Sequence, residues 1–124
     1  MVVLDSDVVI DYFNGKSEWE ERIVEWAADR LLAVTVITKF EVMRGVDIGK
    51  KAELAERFFN MVEVFWLDEV SLNRAIQIAR DLEKKGQRIG AQDCLIAGIV
   101  MARDKVLLTR NRRHFERIPG LSLY

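Results

Sequence analysis

Hydrophobic residues fall along the chain in two rhythms, and the switches between them mark out its elements. Met1 to Leu4 is a continuous apolar run, the pattern of a strand buried on both faces, and Val8 to Phe13 continues apolar at helical spacing, with Asp5 at the junction. Ser17 followed by Glu20 has capping-box spacing and predicts a helix through about Asp29, with Trp19, Ile23, Trp26 and Ala27 along one stripe. Leu32 to Ile37 reads as a second strand. Thr38 and Glu41 repeat the capping-box spacing, so a helix is expected to start there and run to Gly45 or Gly49, followed by another from Lys50 to about Met61. Val62 to Leu67 is the third strand. Val70 to Lys85 is amphipathic, with Leu72, Ala75, Ile76, Ala79 and Leu82 on its apolar face, and Gly86 ends it as a left-handed cap. Gly90 to Arg103 is apolar around most of its circumference, as in a buried helix; Val106 to Leu108 is a fourth strand and Leu121 to Leu123 a fifth.

Short apolar strands separated by helices imply parallel neighbours, because parallel pairing needs a crossover, and continuous apolar strands need cover on both faces. The expected fold is therefore α/β, a three-layer α/β/α sandwich around a mainly parallel sheet. In such sheets the strand C-termini and the N-termini of the helices that follow share one edge, where ligands bind. Asp5 ends the first strand, Glu41 falls in the first predicted turn after the second, Asp93 opens the helix before the fourth, and Asn111 follows that fourth strand. All four map to that edge.

Composition narrows the setting. The 124 residues are half hydrophobic, with a formal net charge of −1, which fits one globular domain over residues 1–124. No apolar run approaches the roughly 18 residues that span a bilayer, and no basic region precedes a cleavable apolar stretch, so a cytoplasmic protein is expected. The single cysteine, Cys94, has no partner for an internal disulfide and reads as a small buried hydrophobe. Near neutrality hides a local bias: Arg103 to Arg117 holds six basic residues against two acidic ones, an excess suited to phosphate.

The acids at the edge carry the chemistry. Three carboxylates gathered within about 4 to 5 Å repel by several kcal/mol per pair at an effective dielectric near 20, so they must take up protons or cations. Carboxylate oxygens with no histidine or thiol expected nearby favour Mg²⁺ or Mn²⁺. Such an ion activates water and stabilises a leaving alkoxide, which points to phosphate chemistry. Each acid also has a local reading: Asp5 as a helix cap, Glu41 as the acid of Thr38-x-x-Glu41, Asp93 as a complement to a helix dipole. Asp7 reads as a cap or hydrogen-bond acceptor and Asp11 as part of an exposed face, and neither is placed in the core site. Trp19, Trp26, Phe58, Phe59 and Trp66 are expected in the core, although "FFNMVEVFW" is more apolar than one short strand requires and could supply a partner surface.

Four blocks, "VVLDSDVVIDYF", "TVITKFEVMRG", "GQRIGAQDCLIAG" and "VLLTRNRRHFERIPGL", resemble in order and spacing the signature blocks of PIN-domain proteins, specifically the VapC-type toxins of toxin–antitoxin pairs. The resemblance implies a metal-dependent endoribonuclease that cleaves RNA phosphodiesters by water attack, forms a homodimer and is silenced by a cognate antitoxin. Carried over block by block, it places Asp5, Glu41 and Asp93 as catalytic and metal-binding acids, with Asn111 as an added metal candidate. Ser6, Thr109 and His114 are supporting residues, and Arg110, Arg112 and Arg113 would meet RNA. The fourth block departs from the commonest pattern: His114 stands where many relatives have an acid just before the phenylalanine.

Two other readings stay open on sequence. "VVLDSDVV" also resembles the strand-end motif of haloacid-dehalogenase-type phosphatases, with Asp5 as nucleophile and Asp7 as acid/base, but no Gly-Asp-x-x-x-Asp motif follows. A PIN-like module that holds RNA or a partner without cutting is the other.

Overall fold

A computed structural model describes residues 1–46 and 49–124. Its elements run β1 (Val2–Leu4), α1 (Ser6–Phe13), α2 (Glu20–Ala28), β2 (Leu32–Thr35), α3 (Val36–Gly45), α4 (Lys50–Met61), β3 (Glu63–Phe65), α5 (Glu69–Lys84), α6 (Ala91–Ala102), β4 (Val106–Leu108), α7 (Arg112–Phe115) and β5 (Ser122–Leu123). The strands form one sheet in the order β3-β2-β1-β4-β5, every pair parallel. β1 occupies the centre, with Leu4 in register with Val34 on one side and Leu108 on the other.

Alternation along the central strands divides the core. Val3, Ala33 and Leu107 face one side, where they pack with Ile78 and Leu82 of α5 and Ile96, Ile99 and Val100 of α6. Val2, Leu4, Leu32, Val34 and Leu108 face the other, against Val8 and Val9 of α1, Ile23 of α2, Val42 of α3 and Phe59 of α4. The three layers follow from that period of two, since each strand needs an apolar partner above and below. Among the described residues no helix is long and apolar enough to cross a membrane.

Several boundaries move, each for a local reason. β2 stops at Thr35 and not at Ile37, because the Thr35 hydroxyl accepts from the Thr38 amide at 3.2 Å and starts α3 at Val36. The Thr38–Glu41 capping box is therefore not formed, and Glu41 sits in the second turn of its helix. α3 ends at Gly45; the alternative end at Gly49 runs through 47–48, outside the described residues. The Ser17–Glu20 box is absent as well: Ser17 Oγ accepts from the Trp19 amide at 3.0 Å, and α2 begins at Glu20. Asp68 caps α5 through the Ser71 amide at 2.8 Å. Gly86 closes that helix with φ +67, as its position predicts.

The burial of two apolar groups also differs from expectation. Phe59 is in the core, and Trp19, Trp26 and Phe58 pack half-buried against it, but Trp66 is 65% exposed, since β3 is only Glu63–Phe65 and the chain has left the sheet. On α5 the expected apolar face is split: Ala75 and Leu82 are buried, whereas Leu72, Ile76 and Ala79 form a stripe at helical spacing that stays in solvent.

Candidate functional site

The centre of the site is set by β1. Its hydrogen-bonded neighbour β4 receives the Asp5 amide on the Leu108 carbonyl at 2.9 Å, which brings Thr109 beside Asp5. Asp5 does cap α1, the local alternative to a site role, with Oδ1 accepting from the Ser6 amide at 2.8 Å, while Oδ2 accepts from the Thr109 hydroxyl at 2.7 Å. Only 6% of Asp5 is exposed. Burial pushes its carboxyl up to about 7, and the neighbouring charges of Asp7 and Asp93 push the same way, against the bonds from Thr109 and Ser6.

From Asp5 the network runs both ways along the edge. Ser6, buried on the first turn of α1, places Oγ 2.9 Å from Glu41 Oε1 and 3.1 Å from Thr38 Oγ1. On the other side the Asn111 amide N–H donates to Thr109 Oγ1 at 2.9 Å. The Asn111 side-chain amide lies 2.8 Å from His114 Nδ1, and the same Nδ1 lies 3.2 Å from Oδ2 of Asp93 in the first turn of α6. Glu41, Ser6, Asp5, Thr109, Asn111, His114 and Asp93 thus form one connected line across the C-terminal ends of the strands.

Asp5, Glu41, Asp93 and Asn111 do lie along one edge, but the expected close cluster of carboxylates is not formed. Among the described residues, no three His, Cys, Asp or Glu side chains stand close enough together to hold one ion as they are placed, so the anticipated cluster within a few ångströms is a line of acids joined by hydroxyls. None of the three acids has a Lys or Arg ion pair among the described residues; the only basic group against any of them is His114 on Asp93. Oxygen donors without a compensating fixed cation fit a hard divalent ion.

The basic run divides. Arg110 lays its backbone N–H against Asp7, 3.2 Å from Oδ2, and its Nε 2.9 Å from Asp11 Oδ2. Asp11 is accordingly half-buried and paired, not part of an exposed face, and Asp7 is half-buried beside the site, its carboxyl raised chiefly by burial. Arg112 pairs with Glu116 at 3.4 Å and donates from Nη1 to the Tyr124 carbonyl at 2.9 Å. Arg113 is exposed and makes no ion pair among the described residues. Cys94 is buried, as expected, and burial raises its thiol.

Two features lay outside the sequence reading. Thr38, fully buried, holds the Ser6 hydroxyl; its spacing to Glu41 gave the only signal, and a local cap was the wrong use for it. A cavity of about 510 Å³ opens beside Glu41, lined in part by Ile10, Phe13, Val42 and Leu54 with Lys50 and Lys51.

Comparison with known proteins places this architecture. Ribonuclease VapC1 of Methanocaldococcus jannaschii is 30% identical over 125 aligned positions, covering 99% of this chain and 86% of its own. A tRNA(fMet)-specific endonuclease VapC of Salmonella typhimurium is also 30% identical, covering 98% of this chain and 94% of its own. Among solved structures, DNA-bound VapBC from Salmonella typhimurium superposes with a TM-score of 0.86 at 30% identity, over 99% of this chain and 96% of that one. The phosphatase reading falls with these matches. With the PIN domain profile matching residues 2–121 and the sheet carrying its acids along one edge, the chain belongs to the PIN domain family.

Proposed function

We propose that the chain is a Mg²⁺- or Mn²⁺-dependent endoribonuclease, the toxin of a toxin–antitoxin pair, which hydrolyses RNA phosphodiester bonds at the acidic edge. The observation that carries this reading is the line of Asp5, Glu41 and Asp93 without a Lys or Arg to neutralise it, on a chain matched nearly end to end by proteins named VapC ribonucleases. Asp5, Glu41 and Asp93 would hold the ion; the Asn111 amide is turned to His114 and is the weaker candidate. Mg²⁺ commonly takes one or two carboxylates and keeps several waters, which suits acids set along a line. When bound, such an ion supplies a water of lowered pKa and positive charge facing the phosphoryl oxygens.

The remaining work falls to the chain's own groups. Ser6 fixes Glu41, and Thr109 fixes Asp5, so neither carboxylate has to be ordered at the moment of reaction. Asp5 would hold such an ion only in its ionised form, because ligation requires the carboxylate. Arg113 is available to the RNA backbone; Arg112 must first leave Glu116, an exposed pair of the kind that holds weakly, and Arg110 must leave the half-buried Asp11. The apolar stripe Leu72, Ile76 and Ala79 supports a homodimer. A protein inhibitor would silence the edge most directly with an Arg or Lys laid against the acids.

The test is cleavage of single-stranded RNA and of a tRNA panel with Mg²⁺ or Mn²⁺, a chromogenic phosphomonoester running in parallel. Metal-dependent cuts in RNA and no phosphomonoester turnover are expected, with losses of orders of magnitude in Asp5→Asn, Glu41→Gln and Asp93→Asn. Full activity in a chelator, or in folded Asp5→Asn protein, sinks the assignment; RNA binding without any cleavage favours the non-catalytic module.

A further inference from the structure

His114 has contacts that the reaction as described does not use. Its Nδ1 lies 2.8 Å from Asn111 Nδ2 and 3.2 Å from Asp93 Oδ2. An ionised carboxylate offers only lone pairs, so a bare Nδ1 facing Oδ2 would set lone pair against lone pair. A proton on Nδ1 removes that conflict, since the ring then donates to Asp93 Oδ2; the Asn111 side-chain amide, placed with Nδ2 towards the ring, then has to turn over so that Oδ1 accepts from the same N–H. The tautomer of a histidine is set by such neighbours. Asn111 is itself held, through its backbone N–H, on the Thr109 hydroxyl that binds Asp5.

We propose that His114 is a positioning residue for Asp93: its Nδ1–H holds Oδ2 and leaves Oδ1 for the divalent ion. Oδ1 has no donor among the described residues. The turn from Thr109 to His114 then braces two acids from one short segment, Asp5 through a hydroxyl and Asp93 through an imidazole. A carboxylate fixed in this way ligates with less ordering at the moment of binding. The clause about the ion rests on the metal reading proposed above; the tautomer does not.

Because the chain contains one histidine, the experiment has an unambiguous signal. Long-range ¹H–¹⁵N correlation of the ion-free protein should find the neutral ring protonated at Nδ1, the reverse of the tautomer that a free side chain favours. Calorimetric Mn²⁺ titration should show affinity reduced about tenfold in His114→Ala and restored to within about threefold in His114→Asn, whose amide N–H can stand near the position of Nδ1. The KM for RNA should stay constant through the series, with circular dichroism checking the fold. A ring protonated only at Nε2 overturns the inference. So does His114→Ala protein that binds Mn²⁺ as tightly as the wild type, or a KM that rises at unchanged Mn²⁺ affinity, which would make His114 an RNA contact. If His114→Ala does not fold, the tautomer and the His114→Asn titration decide. Wild-type protein that binds no Mn²⁺ removes the metal reading and the clause about the ion, and the ring spectrum alone then decides whether His114 holds Asp93, whereas wild-type binding matched by the alanine variant removes this inference alone.

Discussion

Asp5 is a carboxyl that folding makes harder to ionise, and this gives the ion-free protein a definite dependence on pH. Its value rises from 3.8 in the unfolded chain to about 7 in the folded one. Between those values the folded state holds a proton that the unfolded state has released, so stability falls as pH rises through the window and then levels off above it. At about 1.4 kcal/mol per unit the total is a few kcal/mol. Chemical denaturation of ion-free protein should show this decline from about pH 4 to pH 7, and Asp5→Asn, which keeps the shape, should flatten it. Mn²⁺ acts on the ionised form, so its stabilising effect on thermal unfolding should be larger at about pH 8 than at about pH 5. An unchanged slope in Asp5→Asn would assign the dependence to another group. The acids themselves were legible in the sequence, because a charged residue at the end of an apolar run has few structural uses. The hydroxyls that orient them were not, since Ser6 finds Glu41 35 positions away and Thr109 finds Asp5 104 away, distances that only the tertiary fold closes.

Elements were legible in kind, apart from the four-residue α7 that the sequence reading left out, and less so in extent. Val36 and Ile37 are β-branched and apolar, which suits a strand, yet one hydrogen bond from the Thr35 side chain turns the backbone into α3. Thr35→Val keeps the shape but removes the acceptor; it should cost about 1 kcal/mol in denaturant unfolding. It should also lower cleavage by loosening the helix that carries Glu41. The packing of α5 on α6 depends on Gly98. A Cβ there would lie 2.6 Å from the Ser71 carbonyl oxygen and 2.8 Å from Ala75 Cβ, closer than atoms can approach. Gly98→Ala should therefore destabilise by about 1 to 3 kcal/mol despite the better helix propensity of alanine. A neutral or stabilising result would mean that the two helices separate at little cost. The pattern of apolar residues on α5 announced one broad face, and the sheet could use only part of it. Leu72, Ile76 and Ala79 belong to whatever covers the rest, which is why periodicity alone assigned them to the core.

At the scale of the whole molecule, that exposed stripe and the acidic edge lie on different parts of one fold, and they call for separate tests. Sedimentation at micromolar concentration should give a dimer for the wild type and a monomer for Ile76→Glu, with the circular dichroism unchanged. A wild-type monomer, or a variant that remains dimeric, places the contact elsewhere. The class of fold was legible because short apolar strands and intervening helices admit few arrangements. The path of the chain through the sheet has a consequence for the order in which the protein is made. β1, with Asp5 at its end, is synthesised before both of its neighbours, and its second flank stays open until β4 exists to accept the Asp5 amide. Thr109 and Asn111 come later still. A chain released after Ala102 should lack cooperative thermal unfolding and Mn²⁺ binding; native-like behaviour of that fragment would contradict the dependence. An acidic edge built this way stays incomplete through most of the chain's own translation, so a part-made chain lacks the groups that orient its acids.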